Sequence, residues 1–341
     1  MADLVLVTGG SGFVASRCIA TLLARGYRVR TTVRSMRRAP AVQALVARAG
    51  VDADGLEVVE AELLSDAGWD DAVAGCRDVL HVASPFPVAV PKDPDELVRP
   101  AREGTLRVLR AARDAGVRRV VLTSSFAAVG MGTAPRPEPF TEEDWSPLDG
   151  DVPLDPYPRS KTVAERAAWD FVAAEGGGLQ LATVNPVLVL GPLLALETST
   201  SVEVVRRLVD GALPGLPRLA LAVVDVRDVA DLHVLAMERD EAAGLRFLAA
   251  ADGVLTLREM ALTLRAALGE RGRRVPTREL PDWLVRLGGR FDDGVRQIVP
   301  ELGTPRSAGS ARARDLLGWT SRSPQDTVVE TARSLLDLRA R

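Results

Sequence analysis

Leu4-Val5-Leu6-Val7-Thr8-Gly9-Gly10-Ser11-Gly12-Phe13-Val14-Ala15 is the stretch on which the fold turns. Four consecutive apolar residues, two of them β-branched, predict a short strand buried on both faces. Gly9, Gly10 and Gly12 predict a tight turn, and an amphipathic pattern to about Ala24 predicts a helix. Strand, glycine turn and helix together form the context in which a chain holds a dinucleotide. The glycines let backbone approach a pyrophosphate, and the helix N-terminus offers it free N–H groups. Gly10-x-Gly12-x-x-Ala15 fits one spacing of that fingerprint, and Gly9-x-x-Gly12-x-x-Ala15 fits a wider one. No Lys-Ser or Lys-Thr closes the turn, which excludes a mononucleotide P-loop.

Working outward, strands are predicted at 28–33, 56–60, 78–83, 118–123 and 179–184, with helices at 93–114 and 157–175 between them. This alternation predicts an α/β fold, a doubly wound parallel sheet. A ribose with a free 2′-OH calls for a carboxylate just after the second strand. Arg34 stands there instead, followed by Arg37 and Arg38. A planar guanidinium suits a 2′-phosphate, so the cofactor reading is NADP(H) rather than NAD(H). The strand at 78–83 ends in Ala83-Ser84-Pro85, where the chain crosses the cleft beyond the strands' carboxyl ends. His81, among apolar strand residues, reads as a core histidine.

The fifth strand ends in Ser124-Ser125, and a hydroxyl at that position can reach a substrate carbonyl. Residues 126–156 carry little periodicity and many prolines. They read as a lip of the site, with Glu142, Glu143 and Asp144 in solvent. Pro156-Tyr157-Pro158-Arg159-Ser160-Lys161 follows. Tyrosine and lysine four apart share one helix face, and an ammonium there favours the phenolate. The pair can therefore move a proton to or from a carbonyl or alcohol. Lys161 is one of only two lysines among 43 basic residues, and Tyr157 one of two tyrosines, which sharpens the signal.

Beyond Pro192 the rhythm becomes irregular. One strand is expected at 219–224, a helix opened by Asp228 with Asp231 as cap and first-turn acid, a strand at 246–250 and a helix at 257–268. Residues 1–192 are expected to form the dinucleotide-binding domain, with 219–240 returning to it. Residues 193–218 and 241–341 are expected to form a smaller C-terminal substrate lobe.

The totals exclude several classes. At 341 residues, 47% apolar and 26% charged, the chain is long enough for a sizeable core. A net charge of −3 gives no electrostatic case for nucleic acid or an anionic membrane. Two cysteines have neither metal spacing nor a disulfide framework, so no metal is expected and a cytoplasmic setting is. Two histidines and no Gly-x-Ser-x-Gly elbow argue against a Ser-His-Asp hydrolase.

Over nearly its full length the chain resembles the extended short-chain dehydrogenases/reductases of the dihydroflavonol-4-reductase and cinnamoyl-CoA-reductase-like group. The matching pieces are VTGGSGFVAS, TTVRS, VLHVASPF, VVLTSS, YPRSK, VNPVLVLGP, DVRDVADLHVLA and LGW. The resemblance implies a Rossmann domain and a Ser125, Tyr157, Lys161 triad. In it Ser125 orients the carbonyl, Tyr157 donates the proton, and Lys161 holds the nicotinamide ribose. It implies pyrophosphate contacts from Thr8, Gly9, Gly12, Phe13 and Val14, and 2′-phosphate contacts from Arg34 and Arg38. Glu62 and Leu63 fall near the adenine, and Ala83, Ser84, Pro85, Pro186 and Val187 near the nicotinamide. Glu62 departs from the family's aspartate, and Ala15 from its third glycine. The implied activity is NADPH-dependent reduction of an aldehyde or ketone by a monomer or homodimer. The alternatives are a nucleotide-sugar epimerase or dehydratase using NAD, a hydroxysteroid-type dehydrogenase, and a non-catalytic dinucleotide sensor.

Overall fold

The structure, a computed structural model, describes residues 3–84, 95–134, 136–150, 152, 154–196, 200–303 and 305–340. The opening stretch forms strand β1 (Leu4–Val7) and helix α1 (Phe13–Ala24). Next come β2 (Arg28–Val33), α2 (Ala39–Arg48), β3 (Leu56–Glu60), the short α3 (Trp69–Val73) and β4 (Asp78–His81). α4 (Asp95–Asp114), β5 (Arg119–Thr123), α5 (Pro156–Glu175) and β6 (Gln180–Pro186) follow. α5 starts with Pro156 at its first position, where the missing N–H costs nothing.

After β6 the chain forms β7 (Leu188–Leu190), α6 (Thr200–Asp210), β8 (Ala220–Leu221), β9 (Val223–Asp225) and α7 (Val226–Glu238). β10 (Arg246–Ala249), β11 (Leu255–Thr256) and α8 (Leu257–Leu268) come next. The tail holds α9 (Asp282–Gly288), α10 (Asp293–Ile298), α11 (Ala311–Leu317) and α12 (Pro324–Arg339).

The main sheet runs β10-β6-β5-β4-β1-β2-β3, and every neighbouring pair is parallel. Strand order reverses at β1, which lies between β2 and β4, so a crevice opens there at the strands' carboxyl ends. β1 shows why both faces are dry. Val5 and Val7 join a core with Ile19, Leu22 and Val229 of α1 and α7, while Leu4 and Leu6 join one with Leu109 and Phe171 of α4 and α5. Each such burial contributes roughly 1.5–3 kcal/mol. A further core, with Val205, Leu208, Met260, Leu264, Val328 and Leu335, holds α6, α8 and α12 together.

Three findings depart from the sequence reading. The expected strand at 219–224 is two strands parted at Ala222. β8 pairs antiparallel with β11, and β9 pairs parallel with β7. A continuous apolar run carries no register signal, so its passage from one sheet to another is invisible in sequence. Secondly, α7 is capped by Asp225, whose carboxylate accepts the Arg227 N–H at 2.9 Å. Asp228 is instead buried, accepts the Arg322 N–H at 2.6 Å and pairs with the Arg322 guanidinium. Burial raises its carboxyl above the usual range. Asp231 pairs with Arg25 at 3.3 Å. Thirdly, Arg246–Ala249, read as part of the C-terminal lobe, is the edge strand of the main sheet. Its outer edge is covered, with the Leu248 N–H donating to the Glu142 carboxylate and the Ala250 N–H to the Ser310 hydroxyl, both at 3.1 Å. Glu142 is thus buried rather than in solvent, because it satisfies a strand edge.

Candidate active site and dinucleotide cleft

The turn after β1 can be built only from small residues. Gly9 has φ +74°, in the left-handed region, and its N–H donates to Thr32 Oγ1 at 2.9 Å. The Gly10 N–H donates to the Thr32 carbonyl at 3.0 Å, and a Cβ on Gly10 would lie 2.3 Å from Thr31 Oγ1. Gly12 is the N-cap of α1, with no side-chain cap and no acid in the first turn. The leading N–H groups of that helix, at Phe13 and Val14, therefore face a position suited to an anion.

Thr8 sits beneath this turn, wholly buried. Its hydroxyl accepts the N–H groups of Val82 (3.0 Å) and Ala83 (2.9 Å), which leaves its own proton for His81 Nδ1 at 2.9 Å. That count assigns His81 the tautomer with the proton on Nε2. Burial, then the nearby Lys161 charge, push the imidazole down to about 3, so His81 is a neutral core histidine. Thr8 fastens the end of β4 to the glycine turn through a hydroxyl already fully engaged inside the protein.

On the far side of the turn, Arg34 is exposed, and among the described residues no hydrogen bond or ion pair engages it. Arg38 reaches back to Ser11 Oγ at 3.4 Å. No carboxylate ends β2, and Glu60 at the end of β3 is occupied with the Met36 N–H at 3.0 Å. Glu62 is exposed, and its carbonyl accepts the Trp69 indole N–H at 3.1 Å. Leu63 is half-buried against Gly104. An uncapped helix N-terminus behind a glycine turn, with a free guanidinium beside it, fits a dinucleotide carrying a 2′-phosphate.

The candidate reacting groups are placed near the carboxyl ends of β4 and β5, with Pro186 ending β6. Lys161 is only 9% exposed, donates to Ser84 Oγ at 3.1 Å, and lies 6.0 Å from the Tyr157 ring centroid. Tyr157 and Ser125 are both half-buried. The adjacent serines do different things. Ser124 is buried and donates to Glu165 Oε2 at 2.5 Å. Ser125 caps a single 3-10 turn, its Oγ accepting the Ala127 N–H at 3.1 Å, so its hydroxyl proton remains available to an acceptor in the cleft. Ala83 faces the turn, since a Cβ on Gly9 would come within 3.0 Å of it. Pro186 ends β6 buried, and the Val187 N–H donates to the Ala249 carbonyl at 3.1 Å. Pro85 lies outside the described residues.

The sequence reading passed over Glu165, one turn beyond Lys161 and 1% exposed. Its Oε1 accepts from Arg246 Nε (2.7 Å) and Thr183 Oγ1 (3.1 Å), and its Oε2 accepts from Ser124 and from Asn185 Nδ2 (2.7 Å). Arg246 in turn donates to the carbonyls of Glu142 (2.7 Å) and Asp144 (2.8 Å) and stacks 3.7 Å over the Trp145 ring. Removing one partner from such a buried pair costs about 3–5 kcal/mol. A charged residue on the buried face of α5, and another opening the fully buried strand β10, were the available signals.

The parallel sheet, the glycine turn at its switch point and the Ser-Tyr-Lys cluster define a Rossmann-type oxidoreductase of the extended short-chain dehydrogenase/reductase class. Comparison with known proteins makes the assignment particular. The chain belongs to the NAD dependent epimerase/dehydratase family, whose model matches residues 5–248. It is 41% identical over 250 residues to a cinnamoyl-CoA reductase of Medicago truncatula, covering 72% of this chain and 75% of that one. It is 32% identical over 355 residues to a ketoreductase of Aspergillus niger, covering 99% and 98%. Among solved structures, the yeast methylglyoxal/isovaleraldehyde reductase complexed with NADPH superposes with a TM-score of 0.82 at 26% identity, covering 99% of both chains. No described helix is long and apolar enough to cross a membrane.

Proposed function

We propose that this protein reduces an aldehyde or ketone to the alcohol with NADPH, using Tyr157 as proton donor, Ser125 as carbonyl-orienting donor and Lys161 as the cation beside them. The observation that carries the reading is Lys161, nearly buried, held 3.1 Å from Ser84 Oγ beyond β4 and 6.0 Å from the half-buried Tyr157 ring, and it is supported by Ser125 after β5, whose hydroxyl proton is free. NADPH, when bound, supplies the hydride. The rest falls to the chain. Gly9, Gly12, Phe13 and Val14 receive the pyrophosphate, Arg34 and Arg38 receive the 2′-phosphate, and Pro186 and Val187 border the nicotinamide. Ser125 donates to the substrate oxygen, and its hydrogen bond strengthens as that oxygen becomes anionic. Tyr157 delivers its phenolic proton to the same oxygen, so the carbonyl ends with one hydride and one proton. Lys161, anchored at Ser84, keeps positive charge beside the phenolate left behind.

The relatives named above, a cinnamoyl-CoA reductase, a ketoreductase and a methylglyoxal/isovaleraldehyde reductase, support carbonyl reduction over epimerisation. So does Arg34, where a carboxylate would favour NAD. We assign substrate choice to the loop around 126–150 and to the lobe held by α6, α8 and α12. The test is the initial rate of NADPH oxidation, beside NADH, against aryl and aliphatic aldehydes and ketones. Turnover with NADPH well above NADH is expected. Tyr157→Phe should lower kcat by about 100-fold or more with NADPH affinity intact. Near-wild-type turnover in that variant would overturn the assignment.

A further inference from the structure

We infer that Glu165 is a positioning residue for the Ser125 hydroxyl; the inference rests on the reductase reading above. Tyr157, Lys161 and Glu165 are spaced four apart and form one stripe along α5. Glu165 carries that stripe down into the sheet. Its Oε2 takes the Ser124 hydroxyl at 2.5 Å and the Asn185 amide at 2.7 Å. The same Asn185 amide nitrogen is 3.3 Å from the Ser125 carbonyl oxygen, to which it donates. The side chain before Ser125 and the carbonyl of Ser125 itself are therefore both tied to one carboxylate. Ser125 Oγ is fixed in turn by the Ala127 N–H, so the direction of its free proton follows from the backbone that Glu165 holds.

The site asks for a carboxylate in particular. Every group around Glu165 is a donor: the Arg246 guanidinium, the Thr183 and Ser124 hydroxyls, and the Asn185 amide. A carboxylate offers only acceptor positions, whereas a glutamine of the same shape must turn its NH2 toward either the Arg246 guanidinium or the Asn185 amide nitrogen, neither of which can accept. Through Arg246 the same carboxylate also reaches the Glu142 and Asp144 carbonyls and the Trp145 ring. Tyrosine helix, serine turn and loop thus meet at one buried group.

The experiment compares wild type, Glu165→Gln and Ser124→Ala, with Tyr157→Phe alongside. It reads kcat and KM, NADPH affinity from fluorescence titration, melting temperature, and the primary isotope effect with NADPH deuterated at the transferred position. Displacing a hydrogen-bond donor by a fraction of an ångström slows chemistry, so Glu165→Gln should lower kcat by about 10- to 100-fold with NADPH affinity nearly unchanged. The isotope effect should rise toward its intrinsic value as hydride transfer becomes limiting. Ser124→Ala, a smaller change that keeps the Glu165–Arg246 pair, should move both readouts in the same direction by less. A lower melting temperature with unchanged kcat per folded molecule and an unchanged isotope effect would make Glu165 a fold element only and overturn the inference. Lost NADPH affinity with intact kcat would overturn it as well. Failure of the reductase reading itself is separately visible, as wild type without NADPH turnover or Tyr157→Phe retaining it, and would remove this inference too.

Discussion

Arg34 and Lys161 are both cations proposed to serve one cofactor, and their surroundings differ. Lys161 is nearly buried and anchored at Ser84, so its ammonium is fixed in place. Arg34 is exposed and unengaged among the described residues, so its guanidinium is free to meet a ligand. A charge-assisted hydrogen bond is worth about 1.5–3 kcal/mol, so Arg34→Gln should weaken NADPH binding by about 10- to 100-fold and leave NADH binding nearly unchanged. Titrating both dinucleotides into the purified variant checks this. Equal losses for the two would mean that Arg34 does not read the 2′ position. The spacing of Tyr157 and Lys161 was legible in sequence because both residues are scarce and four apart. Glu165 was not, because an acid in a helix ordinarily faces water. Its burial becomes tolerable through donors far along the chain, the Ser124, Thr183 and Asn185 side chains and the Arg246 guanidinium 81 residues downstream.

At the scale of elements, the glycine turn has less room than its sequence suggests. A Cβ on Gly10 would meet Thr31 Oγ1 at 2.3 Å and its Cγ2 at 2.8 Å. Thr31 cannot simply rotate away, since its hydroxyl donates to the Val7 carbonyl at 2.6 Å on β1. Gly10→Ala should therefore push the turn off β2, weaken NADPH binding by about tenfold or more, and cost about 1–3 kcal/mol of stability. Gly178→Ala, at an exposed position with nothing within 4 Å, should change neither by more than about 0.5 kcal/mol. Loss of binding in both variants would point to a general loosening instead. β1, α1, β2, β3 and α8 were legible because their signals are local. In α8 Thr256 and Glu259 form a capping box, with Glu259 N–H to Thr256 Oγ1 at 3.0 Å. The break at Ala222 and the buried Glu142 were not legible, because each depends on a strand brought in from far along the chain; the Asp225 cap is local, but Asp228 offers the same local signal, and the Arg322 that claims Asp228 lies 94 residues on.

For the molecule as a whole, its two histidines set how stability responds to mild acid. His81 is pushed down to about 3 by burial and then by Lys161. His233 is pushed down to about 4 by burial, against the opposing effect of its hydrogen bond to the Val229 carbonyl at 2.7 Å. Unfolded histidine titrates near 6.5. As pH falls below that value the unfolded chain binds a proton at each site while the folded chain binds neither. Stability is therefore full above about pH 6.5 and declines as pH falls toward the folded values, by up to about 1.4 kcal/mol per pH unit for each histidine. Between about pH 6.5 and 5 the two histidines drive this decline, and Asp228, whose carboxyl is raised by burial in the folded protein, works against it. Urea unfolding at pH 7.5, 6.0 and 5.0 should show that decline. His233→Gln, which cannot take up the proton in either state, should remove about half of it. A wild-type slope unchanged by the substitution would mean that His233 is already charged in the folded protein. That would contradict the environment formed by its contact with Thr123 Oγ1 at 2.6 Å and its burial between α7 and the sheet.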